Sequence, residues 1–445
     1  MDSLNGTPRE LLDPNTYRKD GTTALNGEMA SWSGNLYGYA IAQAGSDWAE
    51  WHVRNVSTGK DLSDLIRWTK GSIISWSSDD GGFYYSRYPE PSPEKLLTVA
   101  ALDEKVFYHK VGDPQSADKQ VYQRPDHPNW TIDPLVMEGA HYLFLYIYPG
   151  IEGTNLLSYQ DLHDASHRTV DLIPTVQYQY NPVGMIGSVL YLQTNDSAPR
   201  RRVIAIDLDH PDRAHWKDIV PQREETLDSV QMADGKLLLS YMKDAHSLAR
   251  VVTFEGKPVT DIAMPGIGAA EWSPARLHDK EMFYKFEGFA IPPEIDRLDL
   301  ETGKNERVRG SKVAFDPSQY ETRQVFYSSK DGTRIPMFLS SRKGLKLDGK
   351  NPTLLYAYGG FDIPLTPEFR PQIIEWMQLG GIYASANIRG GSAACEPCDH
   401  HEAASGRQCA GRVPGTRQIQ APARRAPGRT EAAAGIRLPS GLPSR

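Results

Sequence analysis

The chain has 445 residues, enough for two or more domains with sizeable cores, and carries a formal net charge of −7 with a mean hydropathy of −0.51. No run of eighteen apolar residues is present, so no membrane span is expected, and the acidic balance without a basic stripe argues against nucleic acid as a partner. Cys395, Cys398 and Cys409 all lie near the C-terminus, so the body depends on no disulfide, which fits a reducing, cytoplasmic setting.

Residues Met1 to Glu10 carry neither a basic n-region nor an apolar h-region, so no signal peptide is expected. Met1 to Pro14 reads as the last strand and closing turn of a repeat whose inner strands are missing. From residue 17 to about 310 the chain repeats. Each unit is read as opening on a run such as Ala30-Ser-Trp-Ser33 or Ile74-Ser-Trp-Ser-Ser-Asp79. An aromatic strand follows, and the unit closes on a turn of the type Asn55 to Asp61. Comparable closings stand near Gly112, Asp161, Asp207, Phe254 and Asp299, roughly 45–55 residues apart, the length of a four-stranded propeller blade. Interior strands are expected at Phe83–Tyr88, Tyr142–Tyr148, Val189–Leu192, Leu237–Tyr241 and Met282–Phe286. The pattern predicts six blades of a β-propeller rather than a repetitive β-sandwich array. Trp32, Trp76 and Trp272 recur at equivalent places and are expected in the core between sheets.

After the crossing at Asp316–Tyr320, strands Thr322–Tyr327 and Arg334–Leu339 flank the Lys330-Asp-Gly turn as a hairpin. Leu354–Tyr358, bounded by Pro352 and by Gly359-Gly360, reads as a buried strand entering a tight turn. A helical pattern over Ile373–Leu379 leads to a second strand at Gly381–Asn387, which ends in Arg389-Gly-Gly391. Strand, glycine turn, helix, strand, glycine turn builds the carboxyl edge of an α/β sheet, where sites form.

The pieces Ser328–Phe338, Lys343–Gly349, Asn351–Phe361 and Asn387–Gly391 resemble, in order and spacing, the prolyl oligopeptidase family of serine peptidases. The related oligopeptidase B type usually has Gly-Ser-Tyr where this chain has Gly359-Gly-Phe361, so the prolyl type fits better. The resemblance covers about residues 5 to 391. It implies a seven-bladed β-propeller capping an α/β-hydrolase domain, with the propeller admitting short peptides and excluding folded proteins. It also implies cleavage of short proline-containing peptides after proline, by serine attack and an acyl-enzyme, with no metal or cofactor. Tyr358 then matches the tyrosine that donates to the oxyanion, and Phe361 a residue lining the proline pocket. The fold class expected is mainly β: an incomplete seven-bladed propeller (1–310), then the N-terminal part of an α/β-hydrolase domain (311–391). A monomer is expected if the chain folds.

Such a hydrolase needs a Gly-x-Ser-x-Gly elbow followed by Asp and His. No serine lies in that frame; Gly390-Gly-Ser392-Ala-Ala394 comes nearest and lacks the second glycine. The chain as written is therefore expected to be inactive, and a peptide-binding or interaction propeller is the alternative reading. The half-built sheet would expose Leu354–Tyr356, so poor solubility is expected. From Ala393 onward there is no aromatic residue and no lysine, eight arginines face four acids, and the composition cannot order itself. The 392–445 tail reads as non-homologous, as a shifted reading frame would give. Its Cys395-x-x-Cys398 with His400, His401 and Cys409 has metal-ligand spacing, but such a tail offers no local fold to orient ligands, so no metal is assigned. His109, His141, Asp164 and His210 are expected as solvated loop residues, and Arg200-Arg-Arg202 as a short basic cluster opening a strand.

Overall fold

The computed structural model describes residues 6–92, 100–150, 153–360 and 363–391. Six antiparallel four-stranded sheets follow one another along the chain. Sheet one holds β1 (Thr23–Ala30), β2 (Leu36–Gln43), β3 (Trp48–Asn55) and β4 (Lys60–Lys70); sheet two holds β5 (Ser75–Trp76), β6 (Gly82–Arg87), β7 (Lys105–Lys110) and β8 (Lys119–Gln123). Sheet three runs from β9 (Thr131–Val136) through β10 (Tyr142–Tyr148) and β11 (Leu156–Asp161) to β12 (Thr169–Ile173). Sheet four is β13 (Tyr180–Ile186), β14 (Val189–Thr194), β15 (Arg202–Asp207) and β16 (Lys217–Val220). Sheet five is β17 (Thr226–Ala233), β18 (Lys236–Lys243), β19 (His246–Thr253) and β20 (Pro258–Ile262). Sheet six is β21 (Ala269–Trp272), β22 (Glu281–Gly288), β23 (Ile291–Asp299) and β24 (Asn305–Gly310).

Each sheet packs face to face on the next, which is the propeller arrangement. The second strand shows why. In β10, Tyr142, Phe144 and Tyr146 sit in the core shared with sheet four, while Leu143, Leu145 and Ile147 sit in the core shared with sheet two. A strand buried on both faces reads as a continuous apolar run, which is what made these strands visible in the sequence. The five expected interior strands are all second strands of their sheets.

The phase of the repeat needs correcting. The turns taken as closings, such as Asn55–Asp61 and Asp299–Gly303, join the third strand to the fourth, so one more strand follows each. Ser31-Trp-Ser33 stands after the first strand β1, whereas Ser75–Trp76 is the first strand β5 itself and opens its unit as expected. The role of these runs is visible: the Asp80 carboxylate accepts hydrogen bonds from the Trp32 and Ser33 N–H groups at 2.8 and 3.0 Å, and Trp76 Nε1 donates to Met29 O. The motif ties neighbouring sheets together. Trp76 is buried, and Trp32 and Trp272 pack on inter-sheet cores.

The expected N-terminal strand is absent among the described residues. Residues 6–22 form no strand but a 3-10 turn at Pro14–Thr16, started by the Asp13 side chain, and a second turn closed by the Gly21 N–H to Arg18 O. This segment lies on sheet one through side chains rather than a ladder: Arg9 donates to Val56 O and Ser57 O, and Arg54 to Leu11 O. Two prolines in Pro8–Pro14 remove ladder donors.

A seventh sheet is mixed. β25 (Tyr320–Ser328) and β26 (Arg334–Arg342) form the expected hairpin; β27 (Thr353–Ala357), helix α1 (Pro371–Gln378) and β28 (Ile382–Ala386) complete it, in the order β25-β26-β28-β27. The β27–β28 pair is parallel, joined by α1 as a crossover. The expectation that Leu354–Tyr358 is buried is wrong. β27 is the edge strand, and Leu354, Leu355 and Tyr356 are 47%, 65% and 42% exposed. The exposure expected of a half-built sheet is what the structure has. β28, paired on both sides, is buried throughout.

Candidate functional site

The carboxyl ends of β27 and β28 meet through their glycines. A Cβ on Gly359 would stand 2.4 Å from Arg389 O, and one on Gly390, at φ +95°, would stand 2.6 Å from Gly359 O. Only glycine permits this approach. Around it, Asn387 is buried and pairs with Leu365 in both directions, accepting from its N–H at 2.7 Å and donating to its carbonyl at 3.2 Å. Arg389 reaches back to the β25–β26 turn, pairing with Asp331 and donating to Ser329 Oγ. That pairing holds the Asp331 carboxyl well below the usual carboxylate range. The motifs that were separate in sequence thus close on one sheet end.

Tyr358 leaves β27 at this end, is 38% exposed, and its hydroxyl has no hydrogen-bond partner among the described residues. An unengaged phenol at a strand terminus can donate to a developing oxyanion, provided an electrophile sits beside it. Phe361, Ser392 and the Cys395–Cys409 cluster lie outside the described residues.

Sheet seven rests on the turn ends of sheets five and six. Phe289 and Ala290 from the β22–β23 turn and Ala245 from the β18–β19 turn share a core with Phe338, Ile373, Met377 and Tyr383. Gln324 Nε2 donates to Asp244 O and the Phe369 N–H to Glu287 Oε2. At the opposite turn ends a cavity of about 350 Å³ is lined by Trp32, Met137, Met185 and Met232, among others. Segment 274–277, which joins β21 to β22 within sheet six, runs beside it. The Leu277 N–H donates to Glu138 Oε2 of sheet three at 2.7 Å, the Ala275 N–H to Gln231 Oε1 of sheet five, and Arg276 to the Ser31 and Trp32 carbonyls of sheet one. Glu138 and Arg276 carried no sequence signal, because their partners are up to 245 residues away.

His109 is not a solvated loop residue. It is fully buried on β7, with Nδ1 2.7 Å from Asp118 Oδ1 and Nε2 2.9 Å from Asp64 Oδ1. Burial pushes its pKa down, but the bonds to Asp118 and Asp64 outweigh it and lift the imidazole to about 9. A buried Glu104 stands at the start of the same strand; burial raises its carboxyl to about 8, against the Ile132 N–H bond. Asp164 and His210 are in exposed turns, as expected. Of the basic cluster, Arg202 pairs with Asp218 at 3.3 Å and Arg201 donates to Asp228 O. No helix among the described residues is long and apolar enough to cross a membrane.

A family model described as the prolyl oligopeptidase N-terminal β-propeller domain matches residues 1–311. The chain belongs to the prolyl oligopeptidase family. It is 36% identical over 390 residues to a prolyl endopeptidase of Elizabethkingia miricola, covering 87% of this chain and 54% of that protein. It is 32% identical over 423 residues to prolyl oligopeptidase A of Galerina marginata, covering 88% and 56%. Among solved structures, one from a study of two prolyl endopeptidases superposes with a TM-score of 0.78 at 36% identity, over 88% of this chain and 57% of that one. Prolyl oligopeptidase B of Galerina marginata, bound to a 35mer hydrolysis and macrocyclization substrate, gives a TM-score of 0.78 at 31% identity, over 86% and 56%. This prolyl oligopeptidase family member spans about half the length of the curated relatives it matches.

Proposed function

We propose that the chain carries the peptide-admitting propeller and the oxyanion-side part (residues 311–391) of an α/β-hydrolase domain whose substrates are short peptides cleaved after proline. The observation that carries this reading is the shared end of β27 and β28. There, glycine turns abut, and the Tyr358 hydroxyl, exposed and without a hydrogen-bond partner among the described residues, supports a donor role. Tyr358 is assigned as that donor and Phe361 as part of the proline pocket. A donor alone does not hydrolyse an amide: removing one from an intact enzyme costs about 10²–10³ in rate, and the nucleophile and base supply the bond-breaking itself. The sequence holds no serine in the nucleophile-elbow frame, so the purified 445-residue chain is expected to release no chromophore from a Gly-Pro-type chromogenic peptide. Turnover above a heat-denatured control refutes that part of the reading.

The cavity beside Trp32, Met137, Met185 and Met232 favours a second reading, peptide binding without cleavage. Apolar walls of adaptable methionines with one aromatic suit an apolar or prolyl side chain. Saturable anisotropy of a fluorescent proline-containing octapeptide, abolished by Met232→Arg, supports it; a flat titration removes it.

A further inference from the structure

We propose that His141, Asp161 and His163 form a binding site for a divalent transition-metal ion at the turn end of sheet three. Each offers one ligand atom, and the three atoms lie within 4.8 Å of one another. The placement follows from strand register. Tyr142 at the start of β10 pairs with Asp161 at the end of β11, and the Leu162 N–H donates to His141 O at 2.8 Å, so His141 faces the residues that leave β11. Asp161 Oδ1 accepts from the His163 N–H at 2.8 Å, which fixes the carboxylate while His163 folds back over it. The two imidazoles then stack, centroids 4.3 Å apart and planes 2° from parallel, with His141 Nε2 3.8 Å from Asp161 Oδ1.

Ligand atoms sharing one tetrahedral ion at 2.0–2.2 Å stand about 3.3 Å apart, so closing the site needs side-chain rotations that shift the ligand atoms by up to about 1.5 Å, not backbone movement. All three side chains are partly or fully exposed, which leaves them free to rotate and leaves the remaining coordination positions to water. Neighbouring charge helps. Asp161, Asp207 and Asp209 all act on the adjacent Tyr142, from sheets three and four, and their field concentrates cations there. Two imidazole nitrogens with one carboxylate oxygen select Zn²⁺, Cu²⁺, Ni²⁺ or Co²⁺ over Ca²⁺ and Mg²⁺, which want oxygen. Bound metal clips the start of β10 to the turn after β11. Asp164 is not among the residues whose ligand atoms converge, and its oxygens accept from the Ser166 N–H and hydroxyl.

The test is calorimetric titration of the full, untagged chain with CoCl₂ and with ZnCl₂. Cys395, Cys398 and Cys409 are replaced by Ser so that the Cys-x-x-Cys of the tail cannot contribute. One equivalent is expected to bind, with visible d–d bands for Co²⁺ and no sulfur charge-transfer band, unaffected by excess Mg²⁺. His163→Ala and, separately, His141→Ala should each remove that equivalent. Asp161→Asn should weaken it by more than the ~100-fold upper end of what loss of an outer-shell partner costs. His163 is exposed, so the metal-free melt of His163→Ala should match the parent and show that folding is intact. Unchanged stoichiometry and affinity in His163→Ala, or displacement by Mg²⁺, overturns the proposal.

Discussion

Replacing His109 by Gln tests the buried charge cluster that joins sheets one and two. Asp64 comes from β4, His109 from β7 and Asp118 from the turn before β8, and none of the three side chains is more than 2% exposed. Asp64 Oδ1 also accepts from the Gly112 N–H, and Asp118 Oδ2 from the Tyr85 hydroxyl at 2.6 Å, while Asp64 Oδ2 has no partner among the described residues. Removing the cation leaves two carboxylates facing each other in the core, and breaking such a pair costs about 3–5 kcal/mol. The lift of His109 from 6.5 to about 9 gives an independent figure of about 3 kcal/mol. Its sign is fixed by proton binding. The folded chain keeps a proton that the unfolded chain loses above 6.5, so the stabilisation is complete below that pH. It declines above it and is gone once pH passes 9. On the acid side, burial works to raise the Asp64 carboxyl, but the His109 and Gly112 bonds outweigh it and lower it, so that contribution is lost as pH falls below the usual carboxylate range. Urea melts of both proteins, followed by tryptophan fluorescence from pH 6 to pH 10, read the difference directly. His109→Gln should be less stable by about 3–5 kcal/mol at pH 6, with most of the gap closed at pH 10. A gap below about 1 kcal/mol throughout, or one of constant size, refutes the ion-cluster account.

Glu104→Gln should act in the opposite sense at high pH. The buried carboxyl, raised to about 8, keeps its proton where the unfolded chain has already lost it, so the parent loses stability as pH rises from about 5 to about 8 and levels off beyond; the amide variant gains on the parent across that window in the same melts. Gly390→Ala places a methyl 2.6 Å from Gly359 O at φ +95° and should cost about 1–3 kcal/mol, seen as faster hydrogen exchange at the ends of β27 and β28 with the six propeller sheets unaffected. Glu138→Ala frees the Leu277 N–H and should raise exchange there while leaving β21 and β22 protected; unchanged exchange at Leu277 would argue against the crossing segment. Leu355→Lys, at a site 65% exposed on an edge strand, should lower light scattering of concentrated solutions without lowering the melting temperature.

The sequence determined the repeat, the count of six blades and the course of the seventh sheet. All rest on local signals: apolar runs of strand length, turn residues at fixed spacing, and a helical pattern between two glycine-ended strands. Family motifs around Tyr358 were legible for the same reason, being contiguous in Asn351–Phe361. The phase of the repeat was not, because a first strand that is mostly exposed, such as β1, or only two residues long, such as β5, carries no apolar run. Tertiary structure alone decided the rest. His109 reads as any polar residue in Tyr108-His-Lys110, and only the packing of sheet one on sheet two brings Asp64 to it from 45 residues away. Burial of Leu354–Tyr356 depended on whether a neighbour strand covers it, which pattern cannot report. Pairing of His141 with His163, and of Arg276 with Ser31, likewise required closed sheets. Backbone propensity is a property of neighbours in sequence, whereas charge burial and ligand clusters are properties of neighbours in space.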